Sequence, residues 1–304
     1  MTIVVSLPSD ELMEALAGLP GITPVRWDLQ DPPPRTDFDL VVPPYMSKAP
    51  ELKALQPLGG CVVQSQSIGY DGVAEALPEG MTFCNAASVH EASTAELTVG
   101  LIIAAQRNLA ECVRASERGE WIGGTTRALA DSRVLVIGQG GVGQAIMSRL
   151  APFEVTVVRV ASKRRTDAGG LVHGIDELPL LLPEADIVVL AVPLNPATTG
   201  LVDADFLAAM KADALLVNVA RGAVVVTAAL VAELSTGRIR AALDVTDPEP
   251  LPADHPLWSL ENVIVTPHIG GNSTAMAPRV AALVRAQAEA LRDGKPLRNV
   301  VIAP

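Results

Sequence analysis

Cysteine is scarce: Cys61, Cys84 and Cys112 are the only three in 304 residues, and they lie far apart. That excludes a disulfide framework and offers no zinc-ligand spacing. The three thiols are expected as small core residues. Aromatic residues are only 3% of the chain, so a core must be built from Ala, Val, Leu and Ile. No apolar run reaches membrane-spanning length. The first such run, Ile3-Val4-Val5, is too short for a signal peptide and lacks a basic lead. Positive charge is in deficit, with 23 Lys and Arg against 34 Asp and Glu, a net charge of −11. That balance argues against nucleic acid or an anionic membrane as partner. A soluble, cytoplasmic protein acting on a small molecule is expected.

What is present is organised around residues 134–143. Val134-Leu135-Val136-Ile137 reads as a buried parallel strand. It runs into Gly138-Gln139-Gly140-Gly141-Val142-Gly143, a G-x-G-x-x-G turn, and then into residues with helical spacing. Each glycine of the motif has its own reason. Gly138 permits the tight turn, Gly140 lets the backbone approach a pyrophosphate, and Gly143 lets the helix pack closely on the sheet. The helix N-terminus presents unpaired N–H groups and the positive end of its dipole to phosphate.

The first 98 residues alternate short strand-like and helix-like pieces without a phosphate turn of their own. Strands are expected at Thr2–Ser6, Ile22–Trp27, Leu40–Val42, Cys61–Gln64 and Met81–Asn85, with a helix from Ser9 or Asp10 to Leu19. A longer helix is expected from His90 to Asn108. Beyond it the βα rhythm is strong, with strands at Arg133–Ile137, Val155–Val160, Ile187–Val192, Leu215–Val219, Ala241–Asp244 and Val263–Val265. Six strands alternating with helices predict a doubly wound parallel sheet. A final amphipathic helix between Ser273 and Arg292 stops near Gly294 and is expected to fold back on the N-terminal unit.

A Rossmann unit that binds NAD usually carries an acid at the end of its second strand, on the ribose hydroxyls. Here that strand ends in Ala161-Ser162-Lys163-Arg164-Arg165. Ser162, Lys163 and Arg164 can bind a 2′-phosphate by charge-assisted hydrogen bonds, which favours NADP over NAD. A solvated basic loop is the plainer alternative.

Three polar residues follow strand ends, where this architecture places chemistry. They are Arg221 in Asn218-Val219-Ala220-Arg221-Gly222, Glu249 between Pro248 and Pro250, and His268 in Thr266-Pro267-His268-Ile269-Gly270. Hydride exchange with a 2-hydroxy acid requires a base titrating near neutrality, and histidine fits. A carboxylate on its other ring nitrogen fixes the tautomer and favours the imidazolium. A guanidinium can hold the substrate carboxylate and polarise the reacting oxygen. Taken singly, each has an ordinary structural alternative, such as half of an ion pair or a surface histidine.

Gly138–Gly143, Asn218–Gly222, Ala242–Val245 with Pro248–Leu251, and Thr266–Gly270 stand in this order and spacing. Together they make the chain resemble the D-isomer-specific 2-hydroxyacid dehydrogenases, which include glyoxylate/hydroxypyruvate reductases. Weaker matches are Ser67–Asp71, Asn85 through Arg107, and Trp121. The resemblance implies two Rossmann-like or flavodoxin-like α/β domains. A substrate domain (1–98 plus 273–304) would be interrupted by a dinucleotide-binding domain (99–272). It implies that Asp244 sits by the nicotinamide carboxamide, with Thr94 near the ring and Val192 and Val219 lining the cofactor. Backbone amides at Ile68 and Gly69 would receive the substrate carboxylate. It also implies a homodimer using NADP or NAD. A dinucleotide-sensing corepressor-like protein, and a phosphite or formate dehydrogenase, are the alternatives on the same fold. Formate enzymes pair the histidine with Gln, and position 249 is Glu. No regulatory domain follows Pro304, so a feedback-regulated phosphoglycerate enzyme is less expected.

Overall fold

The computed structural model describes residues 2–304. In chain order the elements are β1 (Ile3–Leu7), α1 (Asp10–Leu16), β2 (Ile22–Arg26), β3 (Leu40–Val41), β4 (Val62–Gln64), α2 (Val73–Ala76) and β5 (Thr82–Cys84). Next come α3 (Glu91–Gln106), α4 (Leu109–Glu117), β6 (Arg133–Ile137), α5 (Gly141–Leu150), β7 (Thr156–Ala161), β8 (Arg165–Asp167) and β9 (Gly170–Gly174). Then follow α6 (Leu178–Leu181), β10 (Ile187–Leu190), α7 (Ala204–Ala209), β11 (Leu215–Asn218), α8 (Thr227–Ser235), β12 (Arg240–Leu243) and β13 (Val263–Val265). The chain closes with α9 (Met276–Arg292) and β14 (Val300–Ile302).

Contacts divide the chain into two compact units. One holds the residues up to His90 together with Thr274–Pro304, and the other is Glu91–Ser273. The first break falls ahead of the expected 98/99 boundary because α3 packs into the second unit. Ala95, Val99 and Ile102 share a buried cluster with Val134, Val136 and Ile146.

The first unit is a sheet in the order β14-β5-β4-β3-β1-β2. Its pairs are parallel except β14 against β5, a terminal strand whose three-residue length gave no periodic signal. Ser9 caps α1 by accepting the Leu12 N–H, the usual N-cap bond. α9 buries Val280, Leu283, Val284 and Ala288 against Ile3, Val5 and Leu7. It ends where Gly294 takes a positive φ of 63°, accepting the left-handed turn that L side chains avoid.

The second unit is a sheet in the order β13-β12-β11-β10-β6-β7-β9-β8. The strands β9-β7-β6-β10-β11-β12 reproduce the doubly wound 3-2-1-4-5-6 order, with the switch point between β6 and β10. Both faces are buried, which explains the unbroken apolar strands. On β6, Val134 and Val136 face α3 and α5, while Leu135 and Ile137 face the cluster of Phe206, Leu207, Leu230 and Leu234 on α7 and α8.

The structure corrects the sequence reading in three places. The sheet has eight strands rather than six, because residues 165–174 form a hairpin, β8–β9, on the edge. Its first strand is wholly exposed and polar, so no apolar alternation marked it. The helix expected over His90–Asn108 stops at Gln106, and α4 begins at Leu109 after Asn108 turns at φ 53°. Cys112 is exposed on α4, whose one buried residue is Ala115, whereas Cys61 and Cys84 are buried.

Candidate active site

The carboxyl ends of the parallel strands in the second unit carry the candidate residues. Gly138 follows β6, Ser162 follows β7, Val192 follows β10, Val219 follows β11, and Asp244 follows β12. His268 comes shortly after β13. The edge is the one where doubly wound sheets bind ligands.

The glycine turn divides its labour. Gly138 has φ 115°, and a Cβ there would strike the Ala191 carbonyl and stand 3.0 Å from the Val192 nitrogen. A Cβ on Gly143 would strike the Gly138 carbonyl. These two positions allow close packing of strand, turn and helix. A Cβ on Gly140, in contrast, meets nothing within 4 Å, so space is open on that side of the turn. Gly140 is the N-cap of α5 and brings no side chain of its own to that helix start. The first turn of a helix that starts at such a glycine fits a pyrophosphate. Gly141 and Val142 lie in this first turn. Gln139 turns inward: its amide donates to Gly138 O at 3.1 Å and its Oε1 accepts from Arg159 Nε at 3.1 Å.

Ser162, Lys163 and Arg164 form the exposed turn between β7 and β8. No acid stands at the strand end itself. An acid from further along does reach it: Glu177 accepts from Arg164 Nη1 and from His173 Nδ1. The sequence reading missed Glu177, thirteen positions after Arg164, because only the hairpin brings it back.

Asp244 is the hub of the histidine turn. It is 3% exposed. Its Oδ1 accepts from Thr266 Oγ1 at 2.6 Å and from the Ile269 N–H at 2.9 Å, and its Oδ2 accepts the Gly270 N–H at 2.8 Å. Its backbone oxygen accepts the His268 N–H at 2.8 Å. Gly270 is needed for this approach, since a Cβ would lie 2.8 Å from Asp244 Oδ2 and 3.4 Å from Thr94 Cγ2. Thr94, on α3, therefore stands beside the same turn. His268 itself adopts φ 52°, a left-handed conformation seen in few non-glycine residues. Its Nδ1 lies 2.6 Å from Glu249 Oε1.

Arg221 is placed by its neighbours. Asn218 Oδ1 accepts the Ala220 N–H at 3.0 Å and Asn218 Nδ2 donates to Arg221 O at 3.0 Å, stapling the turn. A Cβ on Gly222 would strike the Thr246 carbonyl, so this turn packs directly on the segment leading to Glu249. The Arg221 guanidinium donates to Ala220 O at 2.7 Å. Val192 is half-buried and Val219 is 9% exposed.

Ile68 and Gly69 belong to the other unit, in the loop after β4. The carbonyls of this loop are turned inward: Asn85 Nδ2 donates to Ile68 O at 2.8 Å, the Ala86 N–H to Ser67 O at 2.9 Å, and His90 Nε2 to Gln66 O at 2.6 Å. Among the described residues the Ile68 and Gly69 N–H groups have no acceptor. No helix among the described residues is long and apolar enough to cross a membrane.

The model of the D-isomer specific 2-hydroxyacid dehydrogenase NAD binding domain matches residues 99–270. A glyoxylate reductase from Thermofilum pendens is 34% identical over 261 residues, 82% of this chain and 75% of that protein. The glyoxylate reductase/hydroxypyruvate reductase of Homo sapiens is 37% identical over 219 residues, 69% of this chain and 67% of that protein. A solved NADPH-dependent glyoxylate/hydroxypyruvate reductase from Sinorhizobium meliloti, in complex with NADP and malonate, has a TM-score of 0.83 at 26% identity, covering 99% of this chain and 97% of that one. The chain belongs to the D-isomer specific 2-hydroxyacid dehydrogenase family and is an NAD(P)-dependent oxidoreductase.

Proposed function

We propose that the chain reduces small 2-oxo acids such as glyoxylate or hydroxypyruvate to the D-2-hydroxy acids, with NADPH preferred. The observation that carries this reading is the His268–Glu249 hydrogen bond at 2.6 Å on the ligand-binding edge of the sheet. When bound, the reduced nicotinamide supplies the hydride taken by the carbonyl carbon. His268, as the imidazolium, gives the proton from Nε2 to the carbonyl oxygen, while Glu249 on Nδ1 keeps the ring in one orientation. Arg221 pairs with the substrate carboxylate and polarises the oxygen that gains negative charge. The N–H groups of Ile68 and Gly69 are assigned to a substrate carboxylate because no acceptor among the described residues takes them. Asp244 serves two ends, holding the histidine turn and meeting the carboxamide, with Thr94 beside it. Val192 and Val219 line the cofactor. Gly138 to Gly143, Gln139, Gly141 and Val142 included, form the pyrophosphate cradle. Ser162, Lys163 and Arg164 take the 2′-phosphate.

The reading includes a domain division near that drawn by contacts, and a cytoplasmic homodimer with no nucleic-acid partner. Support for the dimer comes from apolar side chains left in solvent: Val113 on α4, 59% exposed, and Trp121, 100% exposed. The net charge of −11 supports the absence of nucleic acid. An acid–base pair already bonded is more than a dinucleotide sensor requires.

The test is steady-state oxidation of NADPH and NADH with glyoxylate, hydroxypyruvate, pyruvate and bulkier 2-oxo acids. NADPH turnover with the small acids is expected. Better use of NADH throughout would overturn the assignment of Ser162–Arg164, and no turnover with any of them would overturn the activity.

A further inference from the structure

Arg164 is already engaged by an acid, and that acid is unusually well anchored. Glu177 Oε2 accepts from Arg164 Nη1 and also from His173 Nδ1 at 2.8 Å. Glu177 Oε1 accepts the Gly174 N–H at 2.8 Å. The carboxylate is therefore held by its own hairpin and helix start, and its side chain is 20% exposed. Arg164 is 58% exposed and is the member of the pair that can swing on its long stem. The His173 hydrogen bond first, then the Gly174 amide, hold the Glu177 carboxyl below the ordinary carboxylate range, so it is ionised at neutral pH. Nearby, Arg159 is neutralised in the same way, donating to Asp167 through two bonds of 2.8 and 2.6 Å. The turn is less cationic than its sequence suggests.

We propose that Glu177 sets how strongly this chain discriminates NADPH from NADH, by competing with the 2′-phosphate for Arg164. The inference rests on the assignment of Ser162–Arg164 to that phosphate and adds the group that limits it. A phosphate dianion entering the turn must share the guanidinium with a fixed anion or draw it away. NADH carries no phosphate there and meets no such competition.

Direct titration of the full-length protein tests this without turnover. NADPH and NADH are followed by nicotinamide fluorescence, and adenosine 2′,5′-bisphosphate by calorimetry. Glu177→Gln keeps an oxygen for the Gly174 N–H and removes the charge. It is expected to tighten NADPH and the bisphosphate about fivefold to twentyfold and to leave NADH within about twofold. Arg164→Ala is expected to weaken NADPH and the bisphosphate but not NADH, and to cancel most of the Glu177→Gln gain in the double variant. If Arg164→Ala leaves NADPH binding unchanged, the phosphate assignment itself falls. If it weakens NADPH while Glu177→Gln gives no tightening, the assignment stands and the competition falls. A full gain persisting in the double variant also overturns the competition, because the acid would then act without the guanidinium. Thermal melting of each variant separates these outcomes from misfolding.

Discussion

His268 Nδ1 and Glu249 Oε1 lie 2.6 Å apart, although nineteen positions and two turns of chain separate them. The contact commits one ring nitrogen to the carboxylate and leaves Nε2 as the atom able to meet a substrate oxygen. Replacing His268 with Gln is expected to lower kcat by about 10²- to 10⁴-fold, the usual worth of a positioned acid or base. NADPH affinity, measured by fluorescence titration, should stay within about twofold. Glu249→Gln keeps the hydrogen-bonding shape without the charge, so a smaller loss of kcat is expected from it than from His268→Gln. Unchanged turnover in the His268 variant would remove this residue from the proton step.

The Asp244 carboxylate accepts three hydrogen bonds inside the fold. Asparagine can accept on one atom only, and its amide hydrogens would face the N–H groups of Ile269 or Gly270. Asp244→Asn is expected to destabilise the protein by about 1–3 kcal/mol, the cost of leaving buried donors unpaired. It should also lower kcat, because the turn that aims His268 loosens. Thr266→Val removes a single one of the three bonds and is the milder control. Urea unfolding and single-turnover kinetics on both variants distinguish the two effects. Native stability in Asp244→Asn would show that the turn holds itself.

Much of this arrangement was legible in the chain. The strand–glycine–helix run at 134–150 states its own geometry, because an unbroken apolar run, a positive-φ glycine and a glycine at the helix start each leave a local mark. The family pattern around Arg221, Glu249 and His268 led to a pair that the fold does bring into contact. Local reading stops where partners meet only through tertiary structure. Asp244 as a hub depends on β12 and β13 lying side by side, which no spacing reveals. Glu177 reaches Arg164 through a hairpin whose first strand is entirely exposed, so hydrophobic periodicity was silent there. A signal did exist in Asp167-Ala168-Gly169-Gly170, a two-residue hairpin loop in which Asp167 accepts the Gly169 N–H at 2.8 Å.

The cysteines offer a simple chemical check of the packing. Burial pushes the Cys61 and Cys84 thiols up to about 11, while Cys112 lies exposed on α4. With a pKa near 11, about one buried thiol in three thousand is a thiolate at pH 7.5, and the reagent must also reach it. Native protein is expected to take up one equivalent of a thiol reagent at that pH and three in denaturant. Intact mass and peptide mapping should put the native label on Cys112. Rapid native labelling of Cys61 or Cys84 would contradict the buried cores described for the first unit.

The glycines of the phosphate turn separate folding from binding. A methyl on Gly143 would strike the Gly138 carbonyl, which is backbone and cannot swing aside. Gly143→Ala must therefore move α5 or the turn, and is expected to cost about 1–3 kcal/mol of stability as an overpacked site does. Gly140 differs in both respects. Its φ of −75° and ψ of −173° suit any residue, and its Cβ would meet nothing within 4 Å. Gly140→Ala is expected to melt within about a degree of the parent, since neither strain nor clash is added. The methyl would nevertheless stand in the space where the pyrophosphate approaches the α5 N–H groups, so NADPH and NADH should both bind at least about tenfold more weakly. Melting curves and cofactor titrations on the two variants give the comparison. A Gly140→Ala protein that binds both dinucleotides as the parent does would mean that phosphate is held elsewhere along this edge.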